Sequence, residues 1–127
     1  DVSMATVAAW AGIVGPDRLW LAPRIPPDEP FPQMILGFAE TFLVDAYSKD
    51  RYGGSGKTGN WGRFSEWQTL YQHKHWILAG GLSPENIREA VAGSQTRWVD
   101  VNSGVEECPG IKSPEAVRRL FGEVKKL

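Results

Sequence analysis

Short apolar runs alternate with segments of helical spacing along most of the chain. Four runs are predicted to be strands, because glycine, proline or asparagine follows each of them closely. They cover residues 18–22, 41–45, 75–79 and 98–101. The runs are almost continuously apolar, which is typical of parallel strands covered by helices. The pattern therefore predicts an α/β fold built from strand–helix units.

Helix signals lie between and around these strands. Residues 2–10 have helical spacing, and a short helix is predicted over residues 32–38. Three later helices are expected to begin at residues that cap helices well, two of them followed by proline at the first helical position. The predicted caps are Asn60, Ser83 and Ser113.

Composition narrows the classes of protein without changing this picture. The chain has 127 residues, 42% of them hydrophobic, and its six tryptophans suit the core of one domain. A net charge of −1 gives no indication of nucleic acid or a membrane as partner. A single cysteine excludes an internal disulfide, and we expect a cytoplasmic protein. The first residue is Asp1 rather than methionine, so we expect part of a longer or processed protein.

The candidate chemistry begins with two aspartates at strand ends. Asp45 ends the second predicted strand, and Asp100 lies at the equivalent point of the fourth. The carboxyl ends of parallel strands meet at one mouth, where barrels and open α/β sheets carry their sites. Two carboxyl groups there suit acid–base chemistry. Either residue could instead accept hydrogen bonds from local backbone amides. For Asp45, position alone does not decide between the catalytic and the structural role.

Two glycine-containing turns follow the third and fourth strands. Gly80 and Gly81 form one turn, and Ser103 and Gly104 belong to the other. Open backbone amides at such turns can hold a phosphate group, as the last loops of eight-stranded α/β barrels do. Tight-turn geometry alone would also favour glycine. The two interpretations are compatible.

The other motifs give weaker evidence of a functional site. Residues 54–59 satisfy the glycine pattern of dinucleotide sites but lie well past the strand, and Arg51 breaks the P-loop pattern. His73 and His75 have no further ligands nearby, and Cys108 lies between acids and a proline, which favours a passive loop residue. We therefore predict neither a metal site nor a cofactor.

Three motifs in order resemble one family. They are Asp45 with Tyr52-Gly-Gly-Ser-Gly-Lys-Thr58 and Trp61; Leu78-Ala-Gly-Gly-Leu82 with Pro84-Glu-Asn86; and Val99-Asp-Val-Asn-Ser-Gly-Val-Glu106 with Pro109-Gly110 and Lys112. Together they resemble phosphoribosylanthranilate isomerase of tryptophan biosynthesis, a (βα)8 barrel. The resemblance implies that residues 1–127 are one domain, the carboxyl-terminal part of a TIM-type barrel with about strands five to eight.

The resemblance also implies roles in an Amadori rearrangement of a phosphosugar. Asp45 matches the general acid, which must hold its proton, so a partly desolvated mouth is expected. Asp100 matches a carboxylate that orients the substrate. The phosphate-binding turns match Gly80, Gly81, Ser103 and Gly104. A mobile loop over the site matches residues 54–58, with Gly54, Gly56 and Lys57 as substrate-binding residues.

Two departures from the family pattern matter. Asn102 stands where serine is usual, which is tolerable if backbone amides bind the phosphate. The general-base cysteine of the first strand, in a Lys-Ile-Cys-Gly-like motif, is absent, and Cys108 lies in the wrong loop to replace it. Four strands also leave two open edges. We therefore expect the chain to pair with a missing amino-terminal half or with itself.

Two other functions stay open. The chain could be a non-catalytic half-barrel that binds phosphosugars, or another phosphate-binding barrel enzyme such as the tryptophan synthase α chain or a histidine-pathway isomerase. The loop at residues 53–58 with its following tryptophan favours the anthranilate enzyme.

Overall fold

The computed structural model describes residues 2–26, 28–46 and 59–127. Its helices and strands are, in chain order, α1 (Met4–Val14), β1 (Trp20–Leu21), β2 (Thr41–Asp45), α2 (Trp61–Leu70), β3 (His75–Ala79), α3 (Ile87–Ser94), β4 (Glu106–Cys108), β5 (Ile111–Lys112) and α4 (Pro114–Val124). Short 3-10 turns cover Gln33–Ile35 and Ser103–Val105. None of the helices in these ranges is long and apolar enough to cross a bilayer.

The main sheet is parallel, with β2 between β1 and β3. Trp20 lies opposite Thr41, and Asp45 lies opposite Ala79. β2 and β3 have the predicted bounds, because continuous apolar runs that end in a sharp change of composition leave little freedom in placing them. The α/β class with parallel strands is therefore confirmed.

The fourth predicted strand, residues 98–101, is reduced to one parallel bridge beside β3. Leu78 pairs with Val99 there, and the backbone of Leu78 accepts a hydrogen bond of 2.8 Å from the amide of Asp100. The position in the sheet is as predicted, but the strand is shorter, because the backbone of Asn102 already turns away into the next 3-10 turn. We use "bridge segment" below for residues 98–101.

Several boundaries differ from the sequence predictions. α1 begins at the cap Ser3 and continues to Val14, β1 has two residues, and the helix expected over residues 32–38 is a three-residue 3-10 turn. α3 begins at Ile87, because a hydrogen-bonded turn occupies residues 84–86. The caps Asn60 and Ser113 are confirmed, since each side chain accepts the hydrogen bond of a backbone amide three residues later.

The antiparallel hairpin of β4 and β5 was not predicted. Glu106 lies opposite Lys112, and Gly110 turns the chain with a φ of 85°. The sequence Glu106-Glu-Cys108 has no apolar alternation, so nothing local predicts a strand there. The hairpin follows the 3-10 turn Ser103–Val105 and lies next to the candidate site.

The core lies on one face of the sheet, which we call the helix face. Phe42 and Leu78 are fully buried there, each with 0% exposure. α2 and α3 cover them with side chains that are themselves buried: Phe64, Trp67, Ile87 and Ala90. Phe42 also stacks on Trp76 with ring centroids 5.4 Å apart. This interface is closed and densely aromatic.

The opposite face, which we call the open face, carries the alternate residues of the same strands. Leu43 and Ile77 lie on it in the middle of the sheet, and the register places Trp20 and Trp98 on it at the two outer edges. Trp20 is 63% exposed and Trp98 is 62% exposed. The open face is therefore apolar but uncovered at its rims.

Candidate functional site

A cavity of about 270 Å³ lies at the carboxyl ends of β2, β3 and the bridge segment. Three kinds of group line it: two carboxylates, glycine turns and a short polar loop. The lining residues that matter are Asp45, Gly80, Gly81, Asp100, Asn102 and Ser103. Residues far apart in the chain thus reach one place because parallel strands end at the same edge.

The two aspartates are separated by one strand. Asp45 lies opposite Ala79 in β3, and Asp100 follows the residue that bridges to Leu78. Two strand spacings put their Cα atoms roughly 10 Å apart. Both residues are exposed, so the partial desolvation expected for a general acid is not present in the part of the chain that the structure describes.

The first glycine turn uses conformations that favour glycine. Gly80 has a φ of 93° and Gly81 a φ of 62°. Within the described ranges, the backbone N–H groups of Gly80 and Gly81 donate to no protein acceptor. They border the cavity and are therefore available to an anion.

The second turn follows Asn102 and touches the first. Gly104 lies so close to it that a Cβ atom built there would be 1.9 Å from the carbonyl oxygen of Leu82 and 2.9 Å from the Cα of Ser83. Only glycine fits this contact. Ser103 lines the cavity. Gly104 is not among the described residues that line the cavity, but it forms the contact between the two turns.

Asn86 holds the first turn from outside the cavity. Its side-chain oxygen accepts a hydrogen bond of 2.9 Å from the amide of Ser83, and its Nδ2 donates one of 2.8 Å to the carbonyl of Gly81. Asn86 belongs to the family motif and was also predicted at the third position after the cap Ser83. The pairing of a serine with an asparagine three residues later, as in a capping box, is the signal that indicates this role.

Lys112 holds the second turn in the same way. Its Nζ donates to the backbone oxygen of Asn102 at 3.0 Å, to the side-chain oxygen of the same residue, and to Glu106 at 2.5 Å. The hydrogen bond from Lys112 holds the pKa of the Glu106 carboxyl below its usual range. No local sequence signal predicts these contacts, because they depend on the β4–β5 hairpin.

The remaining sequence candidates lie elsewhere. Gly54, Gly56 and Lys57 fall outside the described residues. Cys108 is exposed and ends β4, whereas the sequence predicted a loop residue. It is not among the described residues that line the cavity. His73 and His75 are exposed, and within residues 2–26, 28–46 and 59–127 no three metal-ligating side chains come together.

Parallel strands backed by helices, with a cavity at the strands' carboxyl ends, define the class of α/β folds that carry their functional sites at this edge. Within that class, the family model for N-(5'phosphoribosyl)anthranilate (PRA) isomerase matches residues 34–123. The chain belongs to the phosphoribosylanthranilate isomerase family. The resemblance read from the three motifs is confirmed.

Curated relatives support the same family. The N-(5'-phosphoribosyl)anthranilate isomerase of Citrifermentans bemidjiense is 44% identical over 86 residues, which is 68% of this chain and 40% of that protein. The Neisseria meningitidis enzyme of the same name is 40% identical over 89 residues, 70% of this chain and 41% of the relative. The chain thus spans about two fifths of the length of these relatives.

Solved structures of the family share the fold and are TIM-type barrels. The Thermus thermophilus isomerase has a TM-score of 0.62 and 31% identity over 94% of this chain and 56% of its own. The Thermotoga maritima isomerase has a TM-score of 0.55 and 36% identity over 68% of this chain and 40% of its own.

Proposed function

We propose that this chain supplies the general acid and the phosphate site of a phosphoribosylanthranilate isomerase. Such an enzyme converts N-(5-phosphoribosyl)anthranilate to the carboxyphenylamino-deoxyribulose phosphate. The observation that carries the proposal is that Asp45, Asp100 and both glycine turns border one cavity. A structure of a family member, 26% identical to this chain, is a complex with reduced 1-(o-carboxyphenylamino)-1-deoxyribulose 5-phosphate. That compound matches the substrate class proposed here.

The chemistry assigns Asp45 the first proton transfer. Its carboxyl group gives a proton to the ring oxygen of the ribose, the bond from that oxygen to C1 breaks, and the anilino nitrogen forms a Schiff base. A base then removes the proton from C2, and the resulting enolamine rearranges to the ketone. Asp100 lies one strand away and orients the anthranilate amine.

The amides of the two turns hold the terminal phosphate in this proposal. The groups assigned to it belong to Gly80, Gly81, Ser103 and Gly104. Positively polarised N–H groups stabilise a phosphate without a cationic side chain. Gly54, Gly56 and Lys57 keep their sequence-based assignment as substrate-binding residues of the loop over the site.

The base belongs to another part of the assembly. Cys108 is the chain's single cysteine and ends β4, so it does not replace the family's first-strand cysteine. We propose that residues 1–127 form one unit, equivalent to strands five to eight of the barrel, in a cytoplasmic enzyme. A missing amino-terminal half, or a second copy of the chain, completes the barrel.

The open face supports this pairing. Trp20 and Trp98 are exposed at its two edges, where a closed barrel would continue with further strands. Beside β1, a groove of about 650 Å³ is lined by apolar side chains that include Met4, Trp10 and Trp20. Exposed apolar surface of this extent at a sheet edge favours an additional strand.

Native mass spectrometry tests the pairing. We expect a species heavier than the 14.1 kDa chain, either a dimer or a complex with the complementary half. A folded and active monomer of 14.1 kDa would refute the proposal that the barrel is completed by other strands.

Replacement of the acid tests the activity. In the natural assembly that contains this chain, Asp45→Asn is expected to lower kcat by about 10² to 10⁴, the usual share of general acid catalysis, with substrate affinity largely kept. Asp17→Asn serves as the control, because Asp17 is an exposed carboxylate paired with Arg18. Its neighbour Pro16 accepts a hydrogen bond from Glu40 at the amino end of β2, so Asp17 lies at the end of the sheet opposite to the cavity. Unchanged turnover in Asp45→Asn would remove Asp45 from the mechanism.

The position of Cys108 also favours a second candidate, a phosphosugar-binding half-barrel without catalysis. Titration of the natural assembly with the phosphosugar separates the two. Binding followed by turnover supports the isomerase, whereas binding without turnover supports the binding module.

A further inference from the structure

Lys112 is the only cation that the described contacts place on the second turn. Its ammonium group binds both oxygens of Asn102, backbone and side chain, and the carboxylate of Glu106. Asn102 lines the cavity, whereas Lys112 is not among the described residues that do so. The lysine therefore reaches the site through Asn102.

The carbonyl of Asn102 thus accepts from Lys112 in addition to the amide of Val105, which donates at 3.3 Å and closes the 3-10 turn. When a carbonyl oxygen is held by a cation on the outside of a turn, the neighbouring amides are left to point the other way. Within the described residues, the amides of Ser103 and Gly104 have no protein acceptor. The chain bends at Asn102 from the bridge segment into the 3-10 turn, and both contacts from Lys112 to Asn102 lie at this bend.

We propose that Lys112 is a positioning residue, which holds the turn at Asn102 so that the amides of Ser103 and Gly104 are presented to a phosphate. This inference rests on the proposed function, since it concerns the phosphate site of the same cavity. Glu106 orients the lysine: its side chain is only 15% exposed, and it keeps the ammonium group against the turn.

The chain offers a matched control for the loss of a charge. Lys126 forms an ion pair of the same length, 2.5 Å, with Glu123, and its side chain has comparable exposure. That pair lies at the end of α4 and is not among the described residues that line the cavity. Lys112→Met and Lys126→Met therefore remove the same charge from two places.

The test measures binding of inorganic phosphate to the natural assembly by calorimetry, with thermal unfolding as a check on folding. Lys112→Met is expected to weaken binding about tenfold, the effect of losing a hydrogen bond to a charged group, and Lys126→Met by less than about twofold. Lys112→Arg should restore most of the affinity, since a guanidinium also donates to two oxygens. Equal affinities of Lys112→Met and wild type would overturn the inference.

Glu106→Gln distinguishes positioning from direct contact with the phosphate. If Lys112 bound the anion itself, release from Glu106 would strengthen phosphate binding, which would overturn the inference. A positioning role predicts weaker binding, together with shifted amide resonances of Ser103 and Gly104. This variant and Lys112→Arg decide the question even if Lys112→Met does not fold. Wild-type protein that binds no phosphate would overturn both this inference and the proposed function, whereas binding unaffected by Lys112 overturns this inference alone.

Discussion

The two faces of one parallel sheet differ sharply. On the helix face, Phe42 and Leu78 are 0% exposed and packed under α2 and α3. On the open face, at the two edges of the same sheet, Trp20 and Trp98 are more than 60% exposed. The open face thus has a buried centre, where Ile77 is 9% exposed, and exposed aromatic side chains at its rims. The difference teaches that local stability and the candidate chemistry reside on different sides of the same strands.

The candidate site lies where the open face meets the strands' carboxyl ends. Asp45 shares the open face with Leu43, whereas Val44 between them is buried against the helices. A substitution on β2 therefore affects the core if the side chain lies on the helix face, and it affects the cavity side if the side chain lies on the open face.

The largest expected effect comes from a leucine on the helix face. Leu78→Ala should lower the free energy of unfolding by about 3 kcal/mol, because it removes a fully buried side chain from a closed core. Leu43→Ala, on the open face, should lower it by only about 1 kcal/mol, since Leu43 is half-buried. Urea unfolding of the two variants measures the difference. Equal losses would show that the open face is as well packed as the helix face.

The contact between the two turns gives the next largest effect. Gly104→Ala places a methyl group against the carbonyl of Leu82, so we expect a loss of about 2 kcal/mol from overpacking, together with weaker phosphate binding. Gly122→Ala is the control, because a Cβ atom there meets nothing within 4 Å, and a helical alanine should stabilise α4 by about 0.5 kcal/mol. Thermal unfolding with and without phosphate measures both effects. A Gly104→Ala protein with normal stability would show that the turns separate freely.

A tryptophan at the edge of the open face tests what covers that face. Trp98→Thr should leave the stability of the chain within about 0.5 kcal/mol, because the side chain is exposed. The same change should weaken pairing with the complementary half or second copy about tenfold, as loss of an interface tryptophan does. Sedimentation measures the association. Leu70→Gln, at the end of α2 and 69% exposed, should change neither quantity.

The smallest expected effect is a pH dependence at the hairpin beside the cavity. Lys112 lowers the pKa of Glu106 from its ordinary value of 4.5. A lowered pKa in the folded protein stabilises it above that value, and the contribution is lost as the pH falls through the folded pKa. The difference in Tm between wild type and Glu106→Gln should therefore be present at pH 6 and shrink below about pH 4.5. In a Lys112→Met background most of the pH-dependent part should be lost, because the hydrogen bond from Lys112 is its largest cause and the backbone hydrogen bond from Gly110 gives the remainder. An undiminished pH-dependent part would assign it to another group.

Much of the fold follows from local patterns in the sequence. β2 and β3 have the predicted bounds, because each is a continuous apolar run closed by a change to small or polar residues. The caps Asn60 and Ser113 are recognisable since their side chains satisfy amides three residues away. The hairpin β4–β5 could not be predicted in this way, since its pairing depends on contacts between turns rather than on strand propensity.

The candidate site likewise has a part that the sequence predicts and a part that only the folded structure shows. Parallel topology alone brings Asp45 and Asp100 to one cavity, so their proximity could be derived from strand order. The contacts of Asn86 and Lys112 join residues to carbonyls up to ten positions away, and only the folded backbone shows which carbonyls those are. The roles of the two aspartates and of the glycine turns remain predictions until the variants are measured.

The touching backbones of Leu82 and Gly104 have a consequence for anyone who divides this protein into pieces. The segment from β3 through the hairpin contains both turns, and their backbones are in close contact at Leu82 and Gly104. Break points for circular permutation or for fragment complementation should therefore be placed before β3 or after Lys112. A cut between residues 82 and 104 is expected to let the two turns separate, even if every side chain is retained.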